Sequence, residues 1–144
     1  MKQLPRWLVF SFIIIAFIGF LDASYLTVKN LTGDSITCTL TDGCDEVTNS
    51  EYSQLFGIPV ALLGMLYYLS VLILSLLYFD TKNPKLGKLI LPLTCVGLLA
   101  SAWFVYAQIF LIKAICQYCM VSALTSSTLF ILGLITLKYY GKKN

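Results

Sequence analysis

The chain has 144 residues, of which 58% are hydrophobic and only 12% charged, and its mean hydropathy is +0.84. Soluble domains are nearer about 45–50% apolar and 25% charged, and a small domain buries proportionally little surface, so an ordinary soluble globule and a disordered chain are both excluded. A net charge of +3 is too weak to indicate nucleic acid, and the absence of histidine rules out Ser-His-Asp, Cys-His and His-metal chemistry. Membrane lipid is left as the expected solvent.

A spanning helix needs about 20 mostly apolar residues. Four windows qualify: 7–28, 59–79, 89–111 and 116–137. Lys2 and Arg6 precede the first as they would in a signal peptide. Its apolar run is too long for that, and no small-x-small cleavage site follows, so a retained helix is expected. A connection over about residues 29–58 comes next, long enough to be functional or disordered. Within it, SEYSQLFG at 50–57 mixes aromatic, apolar and polar residues and predicts a short interfacial helix. Ile58-Pro59 then opens span two, since proline suits a helix's first turn. A Lys-Asn-Pro turn at 82–84 and a link of a few residues before span four make neighbouring spans antiparallel. The expected fold is an all-α membrane protein, one domain over 1–144: a four-helix bundle with a single long loop.

Charge placement predicts orientation. With a cytoplasmic N-terminus, the inner side carries Lys2, Arg6, Lys82, Lys85, Lys88, Lys138, Lys142 and Lys143, and the outer side only Lys29 and Lys113. The positive-inside rule then places both termini in the cytoplasm and the long loop outside a multi-pass cell-membrane protein. Asp34, Asp42, Asp45, Glu46 and Glu51 all fall in that loop, and only Asp80 lies on the inner side. Small residues four apart (Gly19 and Ala23, Gly97 and Ser101, Ser122 and Ser126, Ala123 and Ser127) predict close helix contacts.

The remaining signal is five cysteines. Cys95 lies mid-span and reads as a small buried apolar residue. The other four converge on the outer face: Cys38 and Cys44 with five residues between them in the loop, Cys116 and Cys119 as Cys-Gln-Tyr-Cys opening span four. Outside the cytoplasm disulfides persist. Helix positions three apart share a face, and a helix N-terminus stabilises a thiolate. The 38/44 spacing is too wide for a zinc knuckle, so no metal is expected. Two static disulfides and two exchanging disulfides both stay open. Exchange would need a terminal acceptor, and in a bilayer that is a quinone, menaquinone or ubiquinone. Its pocket would be apolar and aromatic with a few polar groups. Candidate lining residues are Phe56, Tyr67, Tyr68, Trp103, Tyr106 and Tyr118, with Ser50 as a donor. Asp22 is the one acid inside a span, roughly 22 Å along the helix from Trp7. An acid at mid-membrane costs about 2.5–3.5 kcal/mol, so Asp22 should face the bundle or the outer water. Its roles are orienting the loop, relaying protons to the acceptor, or a structural one beside Tyr25.

GFLDASYL at 19–26, Cys38 and Cys44, Ser50 six residues after Cys44, FGIPVALLG at 56–64 and CQYC at 116–119 together resemble the vitamin K epoxide reductase family, specifically its small bacterial members. The other four-span disulfide-generating family carries its Cys-x-x-Cys in the first outer loop, an arrangement this chain lacks. The resemblance implies a membrane thiol:quinone oxidoreductase that drives disulfide formation. A thioredoxin-fold thiol oxidase outside the cytoplasm passes two electrons to Cys38/Cys44, and one of these attacks the Cys116–Cys119 disulfide. Cys116 is the exchanging sulfur, Cys119 faces the quinone, and Ser50 resembles the residue that hydrogen-bonds a quinone oxygen. Some members carry a fused thioredoxin domain. This chain ends at Asn144, so a separate partner is expected. Animal members, which reduce vitamin K epoxide, have a tyrosine where this chain has Ala123, and that favours a quinone. The alternatives are vitamin K epoxide or quinone reduction serving another pathway, and a structural protein with static disulfides.

Overall fold

The computed structural model describes residues 3–33, 43, 46, 47 and 49–142. Cys38 and Cys44 lie outside the described residues. Four long apolar helices dominate: α1 (Arg6–Thr32), α2 (Val60–Thr81), α3 (Pro84–Tyr106) and α4 (Gln117–Gly141). A π-helical stretch, Ala107–Ile112, extends α3. All four are long and apolar enough to cross a membrane, so the chain is a multi-pass membrane protein.

Each helix packs against its chain neighbour, and α1 also meets α4, which closes the bundle. Large apolar side chains point away from it: Leu99 is 71% exposed, Leu124 69% and Val96 63%. In water that surface would be a liability, whereas in lipid it is the solvated face. Inside, the core runs from Leu8 and Phe12 of α1 through Val71 of α2 and Ile90 of α3 to Leu129 of α4.

Small residues set the helix separations. A side chain on Gly19 would collide with the ring of Tyr68, and one on Gly97 with the ring of Tyr67. Gly64 faces Ala23 across the α1–α2 seam, where a Cβ would sit 3.8 Å away. Gly19 and Gly97 therefore take tyrosine rings as partners, whereas Ala23 meets a second small residue, Gly64.

The bounds differ from expectation at two places. Helix α3 begins at Pro84 rather than near 89, because the Asn83 side chain caps the helix by accepting the Lys85 N–H at 3.0 Å, with Pro84 in the first turn. Lys82, left-handed at φ 53°, reverses the chain just before it. The expected interfacial helix at 50–57 is corrected. Only a 3₁₀ turn, Glu51–Ser53, forms, followed by a two-residue hairpin of β1 (Gln54–Leu55) and β2 (Ile58–Pro59). Its central residues, Phe56 at φ 53° and Gly57 at φ 80°, are both left-handed. That is the type I′ geometry, whose twist matches paired strands and breaks a helix.

The two ends of the bundle differ. At the end bearing the chain termini, the Tyr78 hydroxyl accepts the Leu4 N–H at 2.9 Å and the Tyr140 hydroxyl at 3.3 Å. This links the N-terminal segment, α2 and α4. The other end carries the described part of the first loop and the Cys-x-x-Cys.

Candidate active site at the cysteine end

Cys116 caps the N-terminus of α4 in an extended conformation and is fully buried. It packs with Leu26 of α1 and Val47 of the first loop, with Tyr118 and Cys119 at the edge of that cluster. The helical turn brings Cys119 back onto Cys116, and the two sulfurs are hydrogen bonded. That bond is the main reason the Cys116 thiol falls from 9.0 to about 7. The backbone N–H groups of Cys119 and Tyr118 add to the fall, and burial opposes it. A thiol so placed has thiolate available near neutral pH, which is the form that thiol–disulfide exchange requires.

The first loop meets this pair directly. A Cβ added to Gly43 would lie 2.7 Å from both the backbone nitrogen and the backbone oxygen of Ile115. Only glycine permits that approach. The residue preceding Cys44 is thus seated on the residue preceding Cys116. Val47, 2% exposed, returns to hold the contact, its N–H donating to the Gly43 carbonyl at 3.0 Å.

Beyond the sulfurs, toward the bundle centre, Tyr68 ties three helices together. Its ring covers Gly19 of α1. Its hydroxyl reaches the Ser122 carbonyl at 2.7 Å, the Ser122 hydroxyl at 3.0 Å and the Thr125 hydroxyl at 2.8 Å. Ser122 lies three residues after Cys119, so this polar knot lines the same face of α4. Asp22, one turn from Leu26 on α1, is in electrostatic contact with both Cys116 and Cys119. Its Oδ2 is buried with no hydrogen-bond partner among the described residues.

The other expected site residues divide. Tyr118 packs against Tyr25 with the rings tilted and centroids 5.0 Å apart, at the rim of the cysteine cluster. The Ser50 hydroxyl donates to the Val47 carbonyl at 2.7 Å, which leaves its oxygen as an acceptor one residue contact away from Cys116. Tyr67 turns toward Gly97 on α3 and meets Tyr68 edge-on at 5.0 Å. Trp103 and Tyr106 stack on each other along α3 and are about half exposed. Phe56 sits at the hairpin tip, 95% exposed, and is not brought into a pocket. Tyr68 is therefore the buried tyrosine of the 67/68 pair that faces the site, and Gly43 and Gln108 join it as residues that composition did not single out. Gln108 could have been noticed as the one amide in the apolar stretch before Cys116; Gly43 could not, because its contact depends on tertiary geometry.

Comparison with known proteins bears on this arrangement. Residues 10–134 match the pattern described as the Vitamin K epoxide reductase family. Over 126 residues the chain is 34% identical to the Thiol-disulfide oxidoreductase LTO1 of Arabidopsis thaliana, a match covering 82% of this chain and 34% of that protein. The chain thus spans about a third of the length of this relative.

Proposed function

The chain belongs to the vitamin K epoxide reductase family, a family of oxidoreductases, and on that premise we propose that it is a membrane thiol:quinone oxidoreductase driving disulfide formation. The observation that carries this reading is the buried Cys116–Cys119 pair opening α4, with Gly43 of the first loop seated against Ile115. A static staple has no need of a thiol held near neutral, nor of a loop docked one residue away from it.

In this reading the Cys38–Cys44 disulfide takes two electrons from the dithiol of a thioredoxin-fold partner. A loop thiolate attacks the Cys116 sulfur of the Cys116–Cys119 disulfide. A loop–Cys116 bond forms, the bond to Cys119 breaks, and Cys119 leaves as a thiolate. Closure of the loop disulfide then releases Cys116. The seating of Gly43 supports Cys44 as the loop sulfur that meets Cys116. The Cys116/Cys119 dithiol returns to the disulfide by giving two electrons and two protons to a quinone. The surroundings of the pair suit such a ring: the aromatic faces of Tyr25, Tyr118 and Tyr68 lie nearby, and Asp22 presents an unpartnered buried oxygen. Ser50 can bring a hydroxyl to the same region through its bond to Val47.

The lysine and arginine distribution supports cytoplasmic termini, with the cysteine end on the oxidising side of the cell membrane. The test is quinone loss catalysed by the purified protein in detergent, supplied with a reduced thioredoxin-fold dithiol, beside the Cys119→Ala variant. Cysteine-dependent quinone loss supports the reading. Turnover of the variant at the normal rate contradicts it.

A further inference from the structure

Gln108 lies eight residues before Cys116 and is fully buried. It sits in the π-helical stretch Ala107–Ile112, an irregularity that often marks functional positions. One residue organises the whole link into α4. The Gln108 backbone carbonyl accepts the N–H of Lys113 and that of Ala114, the latter at 3.2 Å. Its side-chain Oε1 accepts the Cys116 N–H at 3.0 Å. Lys113, left-handed at φ 58°, makes the turn that these bonds hold. The path of the backbone from the end of α3 to the Cys116 sulfur is therefore set by Gln108.

The rest of the amide is unaccounted for. Nε2 is buried and has no hydrogen-bond partner among the described residues. Gln108 also lines a cavity of about 490 Å³ with Gly43, Glu46, Lys113 and Ile115, the seam where the first loop meets the Cys-x-x-Cys. A buried donor without an acceptor calls for an explanation. The chemistry at this seam provides an acceptor that exists only in passing. When the loop–Cys116 bond breaks and the loop disulfide closes, the electron pair of that bond stays on Cys116, which leaves as a thiolate.

We propose that Gln108 is the positioning residue for thiol–disulfide exchange at Cys116: Oε1 fixes the backbone that carries the sulfur, and the spare Nε2 hydrogens serve the sulfur anion formed at this seam. The inference rests on the exchange reading above, but its test does not need a quinone. Cys116 is also faced by Cys119 of α4 and Asp22 of α1, and Glu46 and Lys113 line the cavity, so each stays unchanged in the test. Two variants probe the amide. Gln108→Met removes acceptor and donor together. Gln108→Glu keeps the size and the acceptor oxygen but replaces the donor with a second oxygen. The first readout is alkylation of Cys116 against pH in the fully reduced protein, followed by mass spectrometry of the Cys116 peptide. The second is single-turnover transfer of electrons from the loop dithiol to the Cys116–Cys119 disulfide.

Both variants are expected to raise the pH midpoint of Cys116 alkylation by about one unit, a tenfold loss of thiolate at a given pH. Both should slow the single turnover about tenfold while leaving the KM for the dithiol partner unchanged. A folded variant of either kind with the normal midpoint and turnover overturns the proposal. If Gln108→Met does not fold, the isosteric Gln108→Glu carries the test alone. If quinone reduction fails in the unmodified protein but the midpoint still shifts, the exchange role of Gln108 stands and the assignment of the acceptor falls.

Discussion

The two ends of this bundle are built on different terms. At the end bearing the termini, Tyr78 accepts both the Leu4 N–H and the Tyr140 hydroxyl, and the seam around Gly87 is filled by the Tyr140 ring. At the cysteine end, buried polar atoms go unanswered. Asp22 Oδ2, Ser24 Oγ and Gln108 Nε2 are buried side-chain atoms without partners among the described residues, and all three lie in the half of the bundle that carries the Cys-x-x-Cys. Such atoms cost about 1–3 kcal/mol each when buried. In the proposed reading, their confinement to one half separates a stapled end from a working end, where groups are held ready for a substrate or for a transient charge.

The sharpest way to break this contrast is at the loop seam. Gly43→Val puts a branched side chain into the Ile115 backbone. It should slow electron transfer from the loop to Cys116 by about 100-fold, the scale on which a displacement of about 1 Å acts on a reaction. Stopped-flow transfer beside a melting curve checks this, and normal transfer in the variant would remove the contact from the mechanism.

The next effect is on pH. With the Cys116 thiol at about 7, its thiolate is the major form above that pH and is lost below it. Alkylation of Cys116 should therefore change less than about twofold between pH 7 and 8 and fall about tenfold from its plateau by pH 6. A tenfold rise between pH 7 and 8 would mean an ordinary thiol.

Two further substitutions should read as stability. Gly19→Ala drives a methyl into the Tyr68 ring and should cost about 1–3 kcal/mol through overpacking. It is measured by unfolding in detergent, and an unchanged midpoint would show that Tyr68 moves aside freely. Smallest is Tyr78→Phe, which removes the two hydrogen bonds of the stapled end. It should cost about 0.6–1.5 kcal/mol and leave turnover untouched. A loss of turnover there would dissolve the distinction between the ends.

Much of this was legible in the chain. The four spans follow from runs of apolar residues, because lipid demands a length of helix that few other structures need. The Cys-Gln-Tyr-Cys turn was legible because its two sulfurs must share a face whatever surrounds them. The hairpin at Phe56-Gly57 was hidden, since a left-handed phenylalanine is set by the strands that flank it rather than by its own preference. Phe56 was consequently expected in a pocket and lies instead at an exposed tip. Tyr67 and Tyr68 were equivalent in sequence, and only the packing of Tyr68 over Gly19 shows which faces the cysteines. Gln108 showed in the sequence only as a lone amide in an apolar stretch, and Gly43 not at all: each acts on the backbone of residues 113–116, and backbone contacts leave no pattern in side-chain chemistry.

The most direct test of the central claim is to stop the exchange halfway. Without Cys119 the Cys116 side of the exchange has no resolving thiol, and without Cys38 the loop side has none. In a Cys38→Ser, Cys119→Ser protein treated with oxidant, peptide mass spectrometry should find Cys116 joined to Cys44. Cys116 and Cys44 remaining unjoined would contradict the account and leave a stapled membrane protein in its place.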